Sequence, residues 1–343
     1  MKMKRMVGFG DFLLRLNPPG YRKFSQAETF ERYFTGAEAN VCASLAVMGV
    51  ETDFVTKLPE NEIADCGIAE LHKLGVGTGH IVRGGERMGV FYVEKGASQR
   101  PGKVVYDRKF TAVATSGPGD YDWDAIFADA GFFHFTGITP ALGGALPEVV
   151  AAACRAAKKR GLFISCDLNY RKKMWTPEAA GKVMAGLLPH VDCLIANEED
   201  AEKVLGIRAA ASDVERGRLS RDGYRDVARQ LTARFPNLKM AGITLRESVS
   251  ASDNDWSAML YTGGDAYFSR TYHMHIVDRV GGGDSFAAGL LYAVGHNMPP
   301  QEAIEFAAAA SCLKHSIELD VNLSTVADVR SLLESGGSGR VQR

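Results

Sequence analysis

One short stretch of this chain combines residue types suited to handling a phosphoryl group. Asp278-Arg279-Val280-Gly281-Gly282-Gly283-Asp284-Ser285-Phe286 runs directly into an apolar segment over 287–294. Residues without a Cβ let the backbone approach a ligand closely. The first turn of a helix offers unpaired N–H groups and the positive end of the dipole, which is where phosphate binds. Asp284, at that boundary, can cap the helix or take a proton from an attacking hydroxyl. The bare amides of Gly281, Gly282 and Gly283 would then stabilise charge beside a base, and the predicted chemistry is phosphoryl transfer. Two other phosphate loops do not fit. Phe286 stands where a dinucleotide-binding fingerprint needs its third glycine, and no Gly-Lys-Ser/Thr tripeptide occurs. A simple capped turn before a core helix would leave the extra glycines and Asp278, expected to be exposed, without a role.

A second group of residues bears on the acceptor. Tyr106 and Arg108 are two apart on a strand-like stretch, so both side chains should point to one face. Arg171 follows the apolar run 162–167, at the carboxyl edge where open α/β sheets bind ligands. A guanidinium matches a carboxylate bidentately. Convergence of Arg108 and Arg171 on one pocket would favour an anionic acceptor over a neutral one, by about 1.5–3 kcal/mol per charged hydrogen bond. The alternative is that Arg108 pairs with Asp107 or another carboxylate of its own segment. Gly36 would let hydroxyls reach the backbone, and Asn40, one turn later among Val41, Cys42 and Ala43, is predicted to be buried and in need of polar partners.

Alternating strand-like and helical runs must position these groups. Strands are predicted over 6–10, 52–57, 131–136, 162–167, 191–197 and 240–245, with helices over 36–49, 63–74 and 146–161. This order indicates an α/β fold with a mostly parallel sheet flanked by helices on both faces. Segments 12–34 and 87–115 interrupt the alternation with polar, Tyr- and Arg-rich β patterns, and are expected to form a small separate sheet acting as a lid. Residues 1–330 are expected to form one α/β unit, 207–223 a surface insertion, and 331–343 a flexible tail.

Composition narrows the class. The 343 residues carry a formal net charge of −1, with 46% hydrophobic and 24% charged residues, which predicts neither nucleic-acid nor membrane partners. The chain has no apolar run of about 18 residues and no cleavable leader, so it is expected to be cytoplasmic. Six cysteines are scattered singly, as expected for free thiols in a reducing compartment. His273 and His275 are expected on one face of a strand, and not as metal ligands.

The pattern resembles the ribokinase-type (PfkB) family of sugar kinases. Its signature Asp-(Thr or Arg)-x-Gly-(Ala or Gly)-Gly-Asp is matched by residues 278–284. Its Gly-Gly-x-x-x-Asn element is similar to Thr35-Gly36-Ala37-Glu38-Ala39-Asn40, and its Asn-x-x-Glu element to Asn197-Glu198-Glu199-Asp200, with aspartate at the last position. Gly10-Asp11-Phe12-Leu13-Leu14-Arg15-Leu16, Arg100-Pro101, Val105-Tyr106-Asp107-Arg108, Asp167-Leu168-Asn169-Tyr170-Arg171 and Thr244-Leu245-Arg246-Glu247-Ser248 resemble the branch that phosphorylates 2-keto-3-deoxy sugar acids. The resemblance implies a ribokinase-like fold and ATP and Mg2+ as cofactors. Asp284 would be the base, and Gly281–Gly283 the anion hole. It implies Gly36, Asn40, Tyr92, Tyr106, Arg108, Arg171 and Asp284 at the sugar. Asn197, Thr244, Arg246, Gly281, Gly283, Ser311 and His315 would be at the nucleotide. Mg2+ would be held through water by Asn197 and Asp200, and a monovalent cation such as K+ would lie near Asp278. It also implies a homo-oligomer, either a dimer through the lids or a larger assembly. The alternatives are a fructokinase or ribokinase, or a catalytically silent sugar-binding protein of the same fold.

Overall fold

Short, nearly continuous apolar runs such as Phe163–Asp167 and Cys193–Ala196 form strands because both their faces are covered. In the computed structural model, which describes residues 3–209 and 221–336, they lie in a nine-stranded sheet. From one edge the order is Asp265–Phe268, Asp253–Thr262, Met240–Ser248, Cys193–Ala196, Phe163–Asp167, Ala130–Thr136, Arg5–Phe9 and Thr52–Val55, with Tyr272–His275 also pairing to Asp253–Thr262. The stretch from Met240–Ser248 to Thr52–Val55 is parallel, whereas the three strands after Ser248 add antiparallel.

Successive residues of a strand go to opposite cores. Val7 and Phe9 pack with helices Leu146–Lys159, Pro177–Leu187 and Arg221–Arg234, while Met6 packs with helices Ala37–Val47, Gly282–Gly295 and Pro300–His315. Leu194 and Ile195 divide in the same way. The helix Leu146–Lys159 shows why it forms. Leu146, Val149, Val150, Ala153, Cys154 and Ala157 are buried at helical spacing, giving one apolar stripe against the sheet. The predicted double-covered sheet is therefore present.

The lid is a four-stranded sheet in the order Glu31–Thr35, Leu13–Asn17, Gly89–Glu94, Lys103–Asp107, with antiparallel, parallel and antiparallel pairs. Its strands lie in the two segments expected for it, except that Thr35 falls one residue beyond the first. Three features differ from expectation. The helix Val326–Ser335 carries the fold past residue 330 and ends at Gly336, whose φ of +63° closes it; residues 337–343 lie outside the described residues. Of the expected insertion over 207–223, residues 210–220 also lie outside them, but Arg221 opens a helix that buries Gly223. The antiparallel extension after Ser248 was not anticipated beyond the strand carrying His273 and His275, although Gly263-Gly264, at φ of +62° and +91°, marks the hairpin between two of its strands. Among the described residues, no helix is long and apolar enough to cross a membrane.

Candidate active site

The parallel strands end on one side of the sheet, and the lid crosses that edge. A cavity of about 530 Å³ lies between them, in the crevice beyond the carboxyl ends of the strands. Gly281 starts its phosphate end. Its φ is +82°, and a Cβ there would collide with the carbonyl oxygen of Asp320, so only glycine fits. The helix Gly282–Gly295 begins at once and is almost wholly buried. Its dipole and first-turn N–H groups therefore face the cavity. Gly281, Gly282, Gly283 and Asp284 all line it.

Asp284 accepts a hydrogen bond from Asn40 Nδ2 at 2.7 Å. Burial pushes its carboxyl up to about 6, against the pull of that bond and of the Arg171 and Lys314 charges. An aspartate in water ionises near 4; the enclosed floor of the cavity makes the difference. At neutral pH Asp284 is still mostly ionised and better matched to proton abstraction. Asn40 is buried, as predicted, and its Oδ1 lies 2.9 Å from Thr35 Oγ1. Gly36 allows the chain to cross Asp11 closely, since a Cβ would meet the Asp11 carbonyl oxygen.

The acceptor end combines the lid and the sheet edge. Phe91 and Tyr106 stack at 5.7 Å on the inner lid face, and the Arg108 guanidinium lies 5.4 Å from the Tyr106 ring centre. All three line the cavity, as do Arg171, Gly36 and Asn40. Arg108 does not pair with Asp107, which binds Arg87 at 2.8 Å. Instead Arg108 Nε and NH2 donate to Asp11 Oδ2 at 3.1 and 2.7 Å. Arg171 makes no side-chain hydrogen bond or ion pair among the described residues. Its charge pulls down the carboxyls of Asp167, Asp200 and Asp284, although burial keeps all three raised, with Asp167 well above the usual range. Tyr92 is the misplaced residue. Strand alternation turns it to the outer lid face, where it meets Phe30 edge-on at 5.9 Å and Phe91 takes the inner position.

On the nucleotide side, Asn197, Asp200, Thr244 and Arg246 line the cavity, and Arg246 lies 5.2 Å from the Trp256 ring centre. Asn197 caps the helix Glu198–Leu205 by accepting from Asp200 N–H at 2.7 Å. Asp200 accepts from Tyr170 N–H at 3.2 Å, and burial raises it to about 6. These oxygens suit a hydrated hard cation. Ser311 and His315 do not line the cavity. Ser311 donates to the Gly282 carbonyl at 2.7 Å, and the His315 ring backs Gly282 and leans on Trp256 at 5.2 Å. They brace the glycine turn from behind.

Asp278 is also placed differently from expectation. It is 5% exposed, and its carboxylate accepts from Arg15 NH2 at 2.8 Å. Arg15, wholly buried on a lid strand, also pairs with Asp320 and donates to Asn17 Oδ1 at 2.9 Å. Removing one member of such a buried set strands the others, typically at about 3–5 kcal/mol. Asp320 in turn accepts from Thr35 at 2.6 Å, so lid and glycine turn share one polar network.

Sequence reasoning missed several lining residues. Asp11 keeps a buried, unpartnered Oδ1. Buried Glu38 accepts from Thr136 N–H, Thr136 Oγ1 and Thr139 Oγ1 at 3.0, 2.8 and 2.6 Å, and burial pushes it up to about 7. Its Oε2 has no partner. The available signal was a glutamate in the first turn of an otherwise uncharged helix.

The pattern of the pfkB family of carbohydrate kinases matches residues 3–318. A crystal structure of 2-dehydro-3-deoxygluconokinase from Thermotoga maritima superposes with a TM-score of 0.93 at 47% identity, covering 97% of this chain and 99% of that one. A 2-dehydro-3-deoxygalactonokinase of Haloferax volcanii is 30% identical over 336 residues, covering 97% of this chain and 98% of its own length. The fold is shared with an E. coli ribokinase-like protein solved in complex with ATP and Mg2+, at 18% identity and a TM-score of 0.80, covering 97% and 100% of the two chains. With the family pattern running through both the lid and the glycine turn, this chain belongs to the pfkB family of carbohydrate kinases and is a phosphotransferase of carbohydrate metabolism.

Proposed function

We propose that this kinase transfers the γ-phosphoryl group of ATP to the primary hydroxyl of 2-keto-3-deoxy-D-gluconate, giving 2-keto-3-deoxy-6-phosphogluconate. The observation that carries this is Arg171, a cation without an ion pair among the described residues, facing the same cavity as Asp284. A sugar acid can put its carboxylate at one and its terminal hydroxyl at the other. Tyr106 and Arg108 cover the acid from the lid, with Arg108 oriented by Asp11.

Asp284 takes the hydroxyl proton as the new O–P bond forms and the bond to the ADP oxygen breaks. Asn40 fixes which Asp284 oxygen faces the sugar. The first-turn amides from Gly281 to Gly283 stabilise charge on the transferring group without reorganising. Thr244 and Arg246 sit where the phosphates would extend. When bound, Mg2+ neutralises phosphate charge; Asn197 and Asp200 would hold it through water. The lid restricts competing water.

Outward-facing Phe30, Tyr92 and Val105 give the lid an apolar outer face, which supports a dimer clasped lid to lid. Six free cysteines and the need for ATP support a cytoplasmic enzyme. The deciding experiment follows ADP release with Mg-ATP over a panel of sugar acids and neutral sugars. 2-Keto-3-deoxygluconate is expected to be the best acceptor, with its galactose-derived epimer as the closest competitor. Faster turnover of fructose or ribose would reject the acid assignment, and no turnover of any acceptor would favour a silent binding protein.

A further inference from the structure

The family resemblance led to the expectation of a monovalent cation near Asp278, and the residues around that position do not fit one. Two loops meet beneath the glycine turn. One contains Asp278, and the other follows the helix Pro300–His315. Their carbonyl oxygens and the Asp278 carboxylate are the donors that such an ion would need. Lys314, wholly buried, already directs its Nζ to the Asp278 carbonyl at 3.0 Å and the Ile317 carbonyl at 3.3 Å. The Asp278 carboxylate is taken by Arg15 and by the N–H groups of Val280 and Leu319, at 3.0 and 3.2 Å. Both ligand types are therefore satisfied by cations that belong to the chain.

We propose that Lys314 is a built-in replacement for an exchangeable monovalent cation, its ammonium tying the two loops together behind Gly281–Gly283 so that the kinase needs neither K+ nor Na+. Lys314 is a positioning residue: it touches neither substrate and acts through the backbone that presents the anion hole. Its position explains two features of the site. The charge is close enough to favour the ionised form of Asp284. It also offsets anionic charge from behind the turn, where a bound phosphate could not displace it. Arg15 completes the arrangement by linking the same loop to the lid.

The proposal rests on the kinase assignment, so its test has an arm that does not depend on the acceptor. Binding of Mg-ADP by calorimetry and the Tm of the intact protein are measured in KCl, NaCl and tetramethylammonium chloride at equal ionic strength. Both are expected to agree across the salts, with affinity constant within about twofold. Tightening of about tenfold or more in K+ alone overturns the proposal even if no sugar is phosphorylated. Turnover of the best acceptor in the same three salts should likewise agree. Lys314→Met keeps the length and removes the charge. It should lower kcat by on the order of tenfold or more, with a smaller change in the acceptor KM. Lys314→Ala should regain part of the loss when K+ or methylammonium is added, which a purely packing role would not allow. Wild-type rates in Lys314→Met, or the same loss in Lys314→Ala whatever cation is supplied, would overturn it. Should either variant fold poorly, the wild-type salt series still decides.

Discussion

The two ends of the cavity are built in contrasting ways. The phosphate end is nearly contiguous in sequence, with the turn and the proposed anion hole and base falling within 281–284 and braced from behind by Ser311 and His315. The acceptor end is assembled from Asp11, Gly36, Phe91, Tyr106, Arg108 and Arg171, which lie on separate elements in both the lid and the main sheet. The reaction end depends on one local geometry that few substitutions would leave intact. Specificity is distributed over elements that can vary one at a time.

The sharpest test of this contrast is Asp284→Asn, which keeps shape and removes the base. Its kcat should fall by about a thousandfold, within the range for a positioned base, with little change in Tm. A variant as active as the parent in ADP release would show that the phosphate end does not depend on Asp284. Arg171→Ala should lower kcat/KM for the sugar acid by about ten- to a hundredfold, the worth of one charged hydrogen bond. Neutral sugars should be indifferent to it. An equal loss on both would move Arg171 to the phosphate end and blur the distinction.

The pH profile separates the ends more finely. As the proposed base, Asp284 must be ionised, and its carboxyl is raised to about 6. Activity should therefore rise with pH through that value and fall about tenfold per unit below it. The same limb should persist in Arg171→Ala, shifted upward, because the Arg171 charge holds Asp284 down. A limb near 4 in the parent would contradict the desolvation of the floor. Smallest is Tyr92→Ala. On the outer lid face, it should leave kcat/KM within about twofold, whereas a large loss would mean that the outer face reaches the substrate.

The phosphate end was legible because its signal is local. Glycines at 281–283 and a carboxylate at 284 announce the turn from adjacent residues, although Asn40 and Ser311 complete it from elsewhere in the chain. The parallel strands were equally legible, since apolar runs such as 163–167 are dictated by burial on both faces. At the acceptor end, residue types were informative and their geometry was not. Tyr106 and Arg108 reach the cavity as their spacing suggested, but Tyr92 is displaced by its neighbour Phe91, because a one-residue change of register exchanges the faces of a strand. That Arg108 would choose Asp11, 97 positions away, is not contained in any window of sequence. The resemblance put Ser311 and His315 at the nucleotide, but the close approach of their helix to Gly282 makes them a backing layer to the turn.

By itself, the sequence determined the order of elements, the location of the glycine turn and the carboxylate that stands at its end, all consequences of hydrophobic periodicity and short-range backbone constraints. The tertiary structure alone decided which charges meet. Arg15 and Lys314 come from opposite ends of the chain to satisfy Asp278 and its loop, and Asp284 sits on a floor dry enough to raise its carboxyl. Ion pairing and desolvation depend on the distance between groups and on the water excluded around them, and both are set only when the sheet, the helices and the lid close on one another.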